Sequence, residues 1–210
     1  MYIFLYIIIS FMLFKKASGA FLMKNRKVFQ WKMSLKKKYQ IIYADPPWKY
    51  GTDVSRHYPT VPIRDIYNFP INKIADENCA LFLWVTFPIL PEALETVKKW
   101  GFRYVSVAFN WVKINKRKGT PFIGMGNWTR ANAEICVLGI RGKLQRKSNK
   151  VSQIVFSPLR EHSRKPDEIR DKIVDLMGDL PRIELFARQT AQGWDCWGNQ
   201  TDKFSEVKNG

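Results

Sequence analysis

The stretch Tyr-Gln-Ile-Ile-Tyr-Ala-Asp-Pro-Pro-Trp, residues 39–48, decides the fold class of this 210-residue chain. Its first six residues are a short apolar run that predicts a buried β-strand. The remaining four form a loop directly after that strand, which is the usual place for a site in an α/β fold. Strand-like and helix-like segments alternate after it, without an internal repeat, and this pattern predicts a single α/β domain.

The loop Asp45-Pro46-Pro47-Trp48 is suited to holding an exocyclic amine. The amino group of a purine is a poor nucleophile, because its lone pair is delocalised into the ring. Asp45 can accept one amino proton and the carbonyl of Pro46 the other, and two consecutive prolines limit the ordering cost of the loop. Trp48 can stack on a base. The alternative interpretation is ordinary turn chemistry, with Trp48 as a core anchor.

Further elements follow from hydrophobic patterning and end signals. The predicted strands are residues 79–86, 104–112, 134–140 and 182–188, and the predicted helices are residues 91–100 and 166–177, closed by Gly101 and Gly178.

The composition favours an anionic partner. The net charge is +17 and the sequence pI is about 9.9, which points to nucleic acid before membrane. The three cysteines are far apart and odd in number, so neither a disulfide framework nor a metal site is predicted. We therefore expect a reducing, cytoplasmic setting.

One segment concentrates the positive charge. Residues 113–150 contain ten Lys and Arg against one acid, Glu134. Aromatic residues, among them Trp111 and Trp128, are interleaved with these cations, which favours nucleic acid over a merely solvated face. The candidate contacts are Lys113, Lys116, Arg117, Lys118 and Arg130.

The first 32 residues fit no targeting signal well. Residues 1–14 are almost wholly apolar but short of the ~20 needed to span a bilayer, and the charges follow the apolar run instead of preceding it as in a signal peptide. Met33 stands just before the first strand and is typical of a protein start. We predict a non-native or loosely attached leader at 1–32, a catalytic domain at 33–204 and a polar tail at 205–210.

Several segments, taken in order, resemble the DPPW-type, or beta-class, adenine-N6 methyltransferases. This family includes the catalytic subunit of the eukaryotic mRNA adenosine methyltransferase and its phage and bacterial relatives. The resemblance covers most of residues 39–202 and depends on six segments: residues 45–48, 81–86, 134–139, 164–168, 184–188 and 193–200.

The resemblance implies a Rossmann-like S-adenosylmethionine-dependent methyltransferase fold in permuted order, with the catalytic loop before the cofactor strand. His57 and Tyr58 would lie on a gate loop beside the target base. No Gly-x-Gly follows the cofactor strand, where Ala187-Arg188-Gln189 stands instead. The residues at the family's cofactor positions are Asp45, Lys165, Glu184, Phe186, Arg188, Asn199 and Gln200.

Three functions remain open at this point. The first is adenine-N6 methylation of DNA, which we favour on size, and the second is the same reaction on RNA. The third is an inactive, nucleic-acid-binding partner of such an enzyme, although the intact Asp-Pro-Pro-Trp loop argues against it. No membrane association is expected, and the protein would act as a homodimer or with a partner subunit.

Overall fold

The computed structural model describes residues 37–49, 60–126, 128–161 and 163–204. The predicted leader and tail, and the predicted gate residues His57 and Tyr58, lie outside the described residues.

Seven strands form one mixed sheet. They are β1 (Tyr39–Ala44), β2 (Ala75–Val85), β3 (Arg103–Ile114), β4 (Ala133–Arg141), β5 (Ile154–Pro158), β6 (Arg182–Leu185) and β7 (Asp195–Trp197), in the spatial order β5-β3-β4-β2-β1-β6-β7. Strand β4 pairs antiparallel with β2 and β3, whereas the other four pairings are parallel. Strand β1 lies between two parallel neighbours and is buried on both faces, which explains its apolar sequence.

Among the described residues, three α-helices accompany the sheet: α1 (Ile63–Tyr67), α2 (Leu90–Lys99) and α3 (Glu168–Met177). Helix α2 is followed by Gly101 at φ 78° and α3 by Gly178 at φ 93°, the left-handed region that glycine enters without a Cβ penalty. Both predicted helices are therefore confirmed, with their ends within two residues of the expected positions.

Helix α3 covers one face of the sheet. Its residues Ile169 and Ile173 are fully buried in a core that includes Phe82, Trp84 and Phe109 from the central strands. Burying each such side chain stabilises the fold by roughly 1.5–3 kcal/mol.

Helices α1 and α2 are tied together. The indole Nε1 of Trp100, just past α2, donates to the carbonyl oxygen of Ile66 in α1 at 2.9 Å. Gly139 in β4 admits α2 closely, since a Cβ at that position would lie 3.0 Å from Val97 and 3.0 Å from Phe102.

The predicted single α/β domain is confirmed for the described part of the chain. Helix α1 and strands β5 and β7 were not predicted, because segments of three to five residues are too short to show a period. The predicted strand 182–188 ends earlier, at Leu185, because Phe186 adopts φ 61° and turns the chain away from the sheet.

Candidate active site

The Asp-Pro-Pro-Trp loop leaves the carboxyl end of β1, at the centre of the sheet. The Asp45 amide donates to the carbonyl oxygen of Leu185 at 3.4 Å, so the loop starts next to the end of β6. The Trp48 amide donates to the Pro46 carbonyl at 2.8 Å, and the Val61 amide to the Pro47 carbonyl at 3.0 Å. The two prolines thus lie in a backbone fixed from both sides.

Trp48 does not present a face for stacking in this conformation. Its side chain is only 5% exposed, and its Nε1 donates to the carbonyl oxygen of Trp84 at 2.9 Å. The structure therefore favours the core-anchor interpretation of Trp48. Pro46 also differs from expectation, because its carbonyl accepts the Trp48 amide and keeps one lone pair for a ligand.

Four side chains of alternating charge run from the loop into the sheet, and we call them the charge chain. Lys165 Nζ lies 2.8 Å from Asp45 Oδ2 and 3.3 Å from Glu134 Oε2. Glu134 Oε1 in turn lies 2.7 Å from Lys113 Nζ. All four side chains are largely shielded, with exposures of 22% for Asp45, 10% for Lys165, 13% for Glu134 and 17% for Lys113.

Two tryptophans line the charge chain. Lys165 Nζ lies 5.7 Å from the centre of the Trp84 ring, and Lys113 Nζ lies 5.3 Å from that of Trp111. The rings limit water access while their faces attract the ammoniums. Strand β2 therefore supplies one ring, β3 supplies both a ring and Lys113, and the other three charges come from the loop after β1, from β4 and from the segment before α3.

Burial and pairing oppose each other along the charge chain. Burial raises the pKa of Asp45, and the Lys165 ammonium only partly offsets this effect. Burial acts the same way on Glu134, but there the ammoniums of Lys165 and Lys113 prevail and hold its pKa below the usual range. Burial also works against the charged form of Lys165, yet the carboxylates of Asp45 and Glu134 raise its pKa. Lys165 is thus a fixed cation beside Asp45.

A second buried pair lies on the other side of Asp45. Arg170 of α3 binds Glu184 of β6 in a fork, with Nε to Oε2 at 2.7 Å and Nη2 to Oε1 at 3.0 Å. Asp167 extends this network, accepting from Arg170 Nη1 at 3.1 Å and from Gln189 Nε2 at 2.6 Å. The fork fixes both oxygens of Glu184 and leaves each a lone pair for hydroxyl donors.

A pocket with an empty volume of about 340 Å³ lies between these two networks. Five of the predicted cofactor residues line it: Asp45, Lys165, Glu184, Phe186 and Arg188. The other two, Asn199 and Gln200, are absent from the lining, although Phe204 from the same turn belongs to it. The structure therefore brings most of the predicted cofactor site together around Asp45.

The turn after β6 is built without a Gly-x-Gly. Phe186 itself takes the left-handed conformation, an uncommon and strained one for a bulky residue. Its ring is held by Phe69 and Trp197, at centroid distances of 5.5 and 5.6 Å. Close backbone approach is supplied by Gly198, where a Cβ would lie 2.3 Å from the Ala187 carbonyl oxygen. Gly198 thus lets the segment after β7 pack directly against the backbone of this turn.

The exposed basic residues occupy the connection between β3 and β4. Lys116, Arg117, Lys118 and Arg130 are all exposed there, and the Trp128 side chain is 99% exposed. Lys113 is separate from them, since its ammonium belongs to the charge chain.

Sequence reasoning missed several members of the site. Glu134 is, in the sequence, the one acid within a basic segment and the first residue of the family-like segment 134–139, and that isolation was the available signal. Arg170 follows a buried Ile169 and is itself 9% exposed, so a cation among the buried residues of an amphipathic helix was a second signal.

Comparison with known proteins agrees with this geometry. Residues 39–200 match the MT-A70 family. The chain belongs to this family. It is 31% identical to the Type II methyltransferase M.MunI of Mycoplasma sp over 78% of each chain. It is also 31% identical to a putative N(6)-adenosine-methyltransferase MT-A70-like protein of Medicago truncatula, and 30% identical to the human N(6)-adenosine-methyltransferase catalytic subunit METTL3. The aligned regions make up only 30% and 29% of those two proteins.

Members of this family use S-adenosylmethionine, and the pocket fits that molecule. Gln189 Oε1 and Arg164 Nε are buried there without a hydrogen-bond partner among the described residues. Orphaned polar atoms at a pocket are typical of a ligand site. The pocket also offers cations for a carboxylate, the acid Glu184 for ribose hydroxyls and the aromatic Phe186 for adenosine.

Proposed function

We propose that the chain transfers a methyl group from S-adenosylmethionine to the N6 amine of adenine in nucleic acid, with DNA as the favoured substrate. The observation that carries this proposal is the position of Asp45. Its carboxylate lies at the centre of the sheet, paired with Lys165 at 2.8 Å, on the wall of the cofactor pocket.

The loop residues account for the handling of the amine. Lys165 engages Asp45 Oδ2, and none of the ion pairs among the described residues involves Oδ1, so Oδ1 is the oxygen that accepts an amino hydrogen. The second lone pair of the Pro46 carbonyl accepts the other. Both contacts favour tetrahedral nitrogen, so they strengthen as the transition state is approached. The amine loses one proton as it gains the methyl group, and Asp45 Oδ1 is placed to take that proton.

Lys165 is placed to contact the cofactor in addition to its contact with Asp45. An ammonium has three donors, and two are used on Asp45 and Glu134. The third is available for the carboxylate of the methionine moiety. S-adenosylmethionine supplies the electrophilic methyl group on its sulfonium.

The substrate proposal depends on charge and on matched length. Lys116, Arg117, Lys118 and Arg130 are exposed cations beside the exposed Trp128, a combination suited to phosphates and an unstacked base. DNA is favoured over RNA because the chain aligns with 78% of the type II methyltransferase, but with less than a third of each adenosine methyltransferase. An inactive partner would have no need to maintain the charge chain around Asp45.

The setting follows from the same features. We infer that the catalytic domain is residues 33–204 and that it acts in the cytoplasm, where Cys79, Cys136 and Cys196 stay as free thiols. A second copy or a partner subunit would help to read the target sequence. No helix among the described residues is long and apolar enough to cross a membrane.

The test is direct. The purified protein is incubated with S-adenosylmethionine labelled on the methyl group and with matched unmethylated DNA or RNA, and the products are digested to nucleosides. We expect labelled N6-methyldeoxyadenosine, and none with Asp45→Asn. Label in N6-methyladenosine from RNA alone would reverse the substrate assignment. Label in neither nucleoside would refute the proposed activity.

A further inference from the structure

Lys113 was expected to contact phosphate, but its surroundings indicate another role. Its side chain is 17% exposed, and Nζ is held by Glu134 at 2.7 Å and by the face of Trp111 at 5.3 Å. By contrast, the neighbouring Lys116 and Arg117 are exposed. A largely buried ammonium that is already paired with a carboxylate is poorly placed to bind a phosphate group as well.

The role of Glu134 depends on Lys113. Glu134 places one oxygen on each of two ammoniums, Oε1 on Lys113 and Oε2 on Lys165. A buried carboxylate with a single partner is less stable in its charged form and freer to rotate. If Glu134 turned or became protonated, Lys165 would lose its ion pair with Glu134. That ion pair holds Lys165 in place beside Asp45.

The backbone of Lys113 connects this chain to the basic loop. Its amide donates to the carbonyl of Asn132, and its carbonyl accepts from the amide of Phe122, each at 2.8 Å. Lys113 is thus joined through its backbone to both arms of the connection between β3 and β4. Nucleic acid bound on that connection would therefore act, through the backbone, on Lys113, which fixes the far end of the charge chain.

We propose that Lys113 is a positioning residue for methyl transfer, which holds Glu134 and through it orients Lys165 and Asp45, and that it is not a phosphate contact. This inference rests on the proposed function.

The experiment compares three lysine-to-methionine variants, which keep similar length and lose one charge each. For Lys113→Met, we expect kcat to fall roughly ten- to a hundredfold, the effect of losing a charged hydrogen bond. Its nucleic-acid KM and the salt dependence of binding should stay at the wild-type values. Lys113→Arg keeps a cation opposite Glu134 and should restore most of kcat.

The other two variants are controls. Lys116→Met should show a different pattern, with an affinity for nucleic acid that is weaker and less salt-dependent than that of the wild type. Lys99→Met removes an exposed ammonium on helix α2 that lies 3.3 Å from Glu95 and 5.4 Å from the centre of the Tyr67 ring, and it should change neither kcat nor this affinity. If Lys113→Met instead reduces the salt slope by about 0.7–0.9 log units at unchanged kcat, Lys113 is a phosphate contact and the inference is wrong.

A readout without turnover keeps the inference separate from the proposed function. Carboxyl 13C resonances of glutamates are followed against pH in the unliganded protein, with Glu134→Gln to assign the signal. The cations facing Glu134 are Lys113 and Lys165, with Asp45 behind the latter. In Lys113→Met, the Glu134 titration should move up in pH by about one unit or more, whereas an unmoved titration would overturn the inference even if the wild-type protein is active. If the wild-type protein transfers no methyl group but the titration moves, the proposed function fails, and what stands is that Lys113 holds the Glu134 carboxylate in place of a phosphate.

Discussion

Replacing Arg170 by methionine tests how strongly the wall of the cofactor pocket depends on one buried ion pair. Both partners are 10% exposed, and the fork from Arg170 holds both oxygens of Glu184. Methionine fills much of the arginine stem but leaves the carboxylate unpaired. Removing one partner of a buried pair typically costs about 3–5 kcal/mol of unfolding free energy. For a domain of this size, that cost corresponds to a fall in Tm of roughly 6–20 °C.

The loss of stability in Arg170→Met should depend on pH through the Glu184 carboxyl. Burial already raises the pKa of Glu184 in the presence of Arg170, so without that cation the pKa must rise further. When the pKa of a carboxyl is higher in the folded than in the unfolded protein, the free energy of unfolding falls as the pH rises through the folded-state pKa. At low pH the carboxyl is protonated in both states, and this loss of stability is absent. The stability deficit of Arg170→Met should therefore be small near pH 5 and largest near pH 8.

The assay is denaturant unfolding of the wild type, Arg170→Met, Glu184→Gln and the double variant at several pH values. In the double variant no buried charge remains unpaired, so we expect it to be more stable than Arg170→Met at pH 8. A pH-independent deficit, or a double variant less stable than Arg170→Met, would refute this account of the pair.

Three further predictions concern function. Asp45→Ala should cut methyl transfer on the order of a hundredfold or more while the fold remains, because Lys165 keeps Glu134 at 3.3 Å, and single-turnover kinetics would measure it. Turnover near that of the wild type would remove Asp45 from the mechanism. Asn199→Ala combined with Gln200→Ala should weaken cofactor binding by roughly 0.5–1.5 kcal/mol for each lost hydrogen bond, measured by calorimetry, without altering nucleic-acid affinity. An unchanged cofactor affinity would show that the two residues, which do not line the pocket, do not contact the cofactor. Neutralising residues 116–118 together should weaken nucleic-acid binding and flatten its salt slope by up to about 0.9 log units per lost contact on duplex, and an unaltered slope would show that the loop is only a solvated surface.

The sequence was most informative where a local pattern had one physical solution. Strand β1 and the loop after it were predicted to the residue, because an apolar run ending in Asp-Pro-Pro has few alternatives. Helices α2 and α3 were predicted through Pro91, Gly101 and Gly178, which act as start and stop signals regardless of tertiary contacts. Strand β7 has only three residues and exists because β6 offers it an edge, which no local pattern reveals.

Charged residues were the harder case, because a sequence gives their sign but not their partners. Glu184 was expected only as a cofactor residue, yet it also pairs with Arg170, fourteen residues away on α3. Lys113 looked like its basic neighbours, but it lies on β3 two residues after Trp111, the register partner of Glu134 on β4, and its ammonium reaches that carboxylate. In each case the pairing depends on which helices and strands become neighbours, and that is a property of the whole fold. The residues around Asp45 could therefore be named in advance, whereas the network that fixes their charges could be found only from the fold.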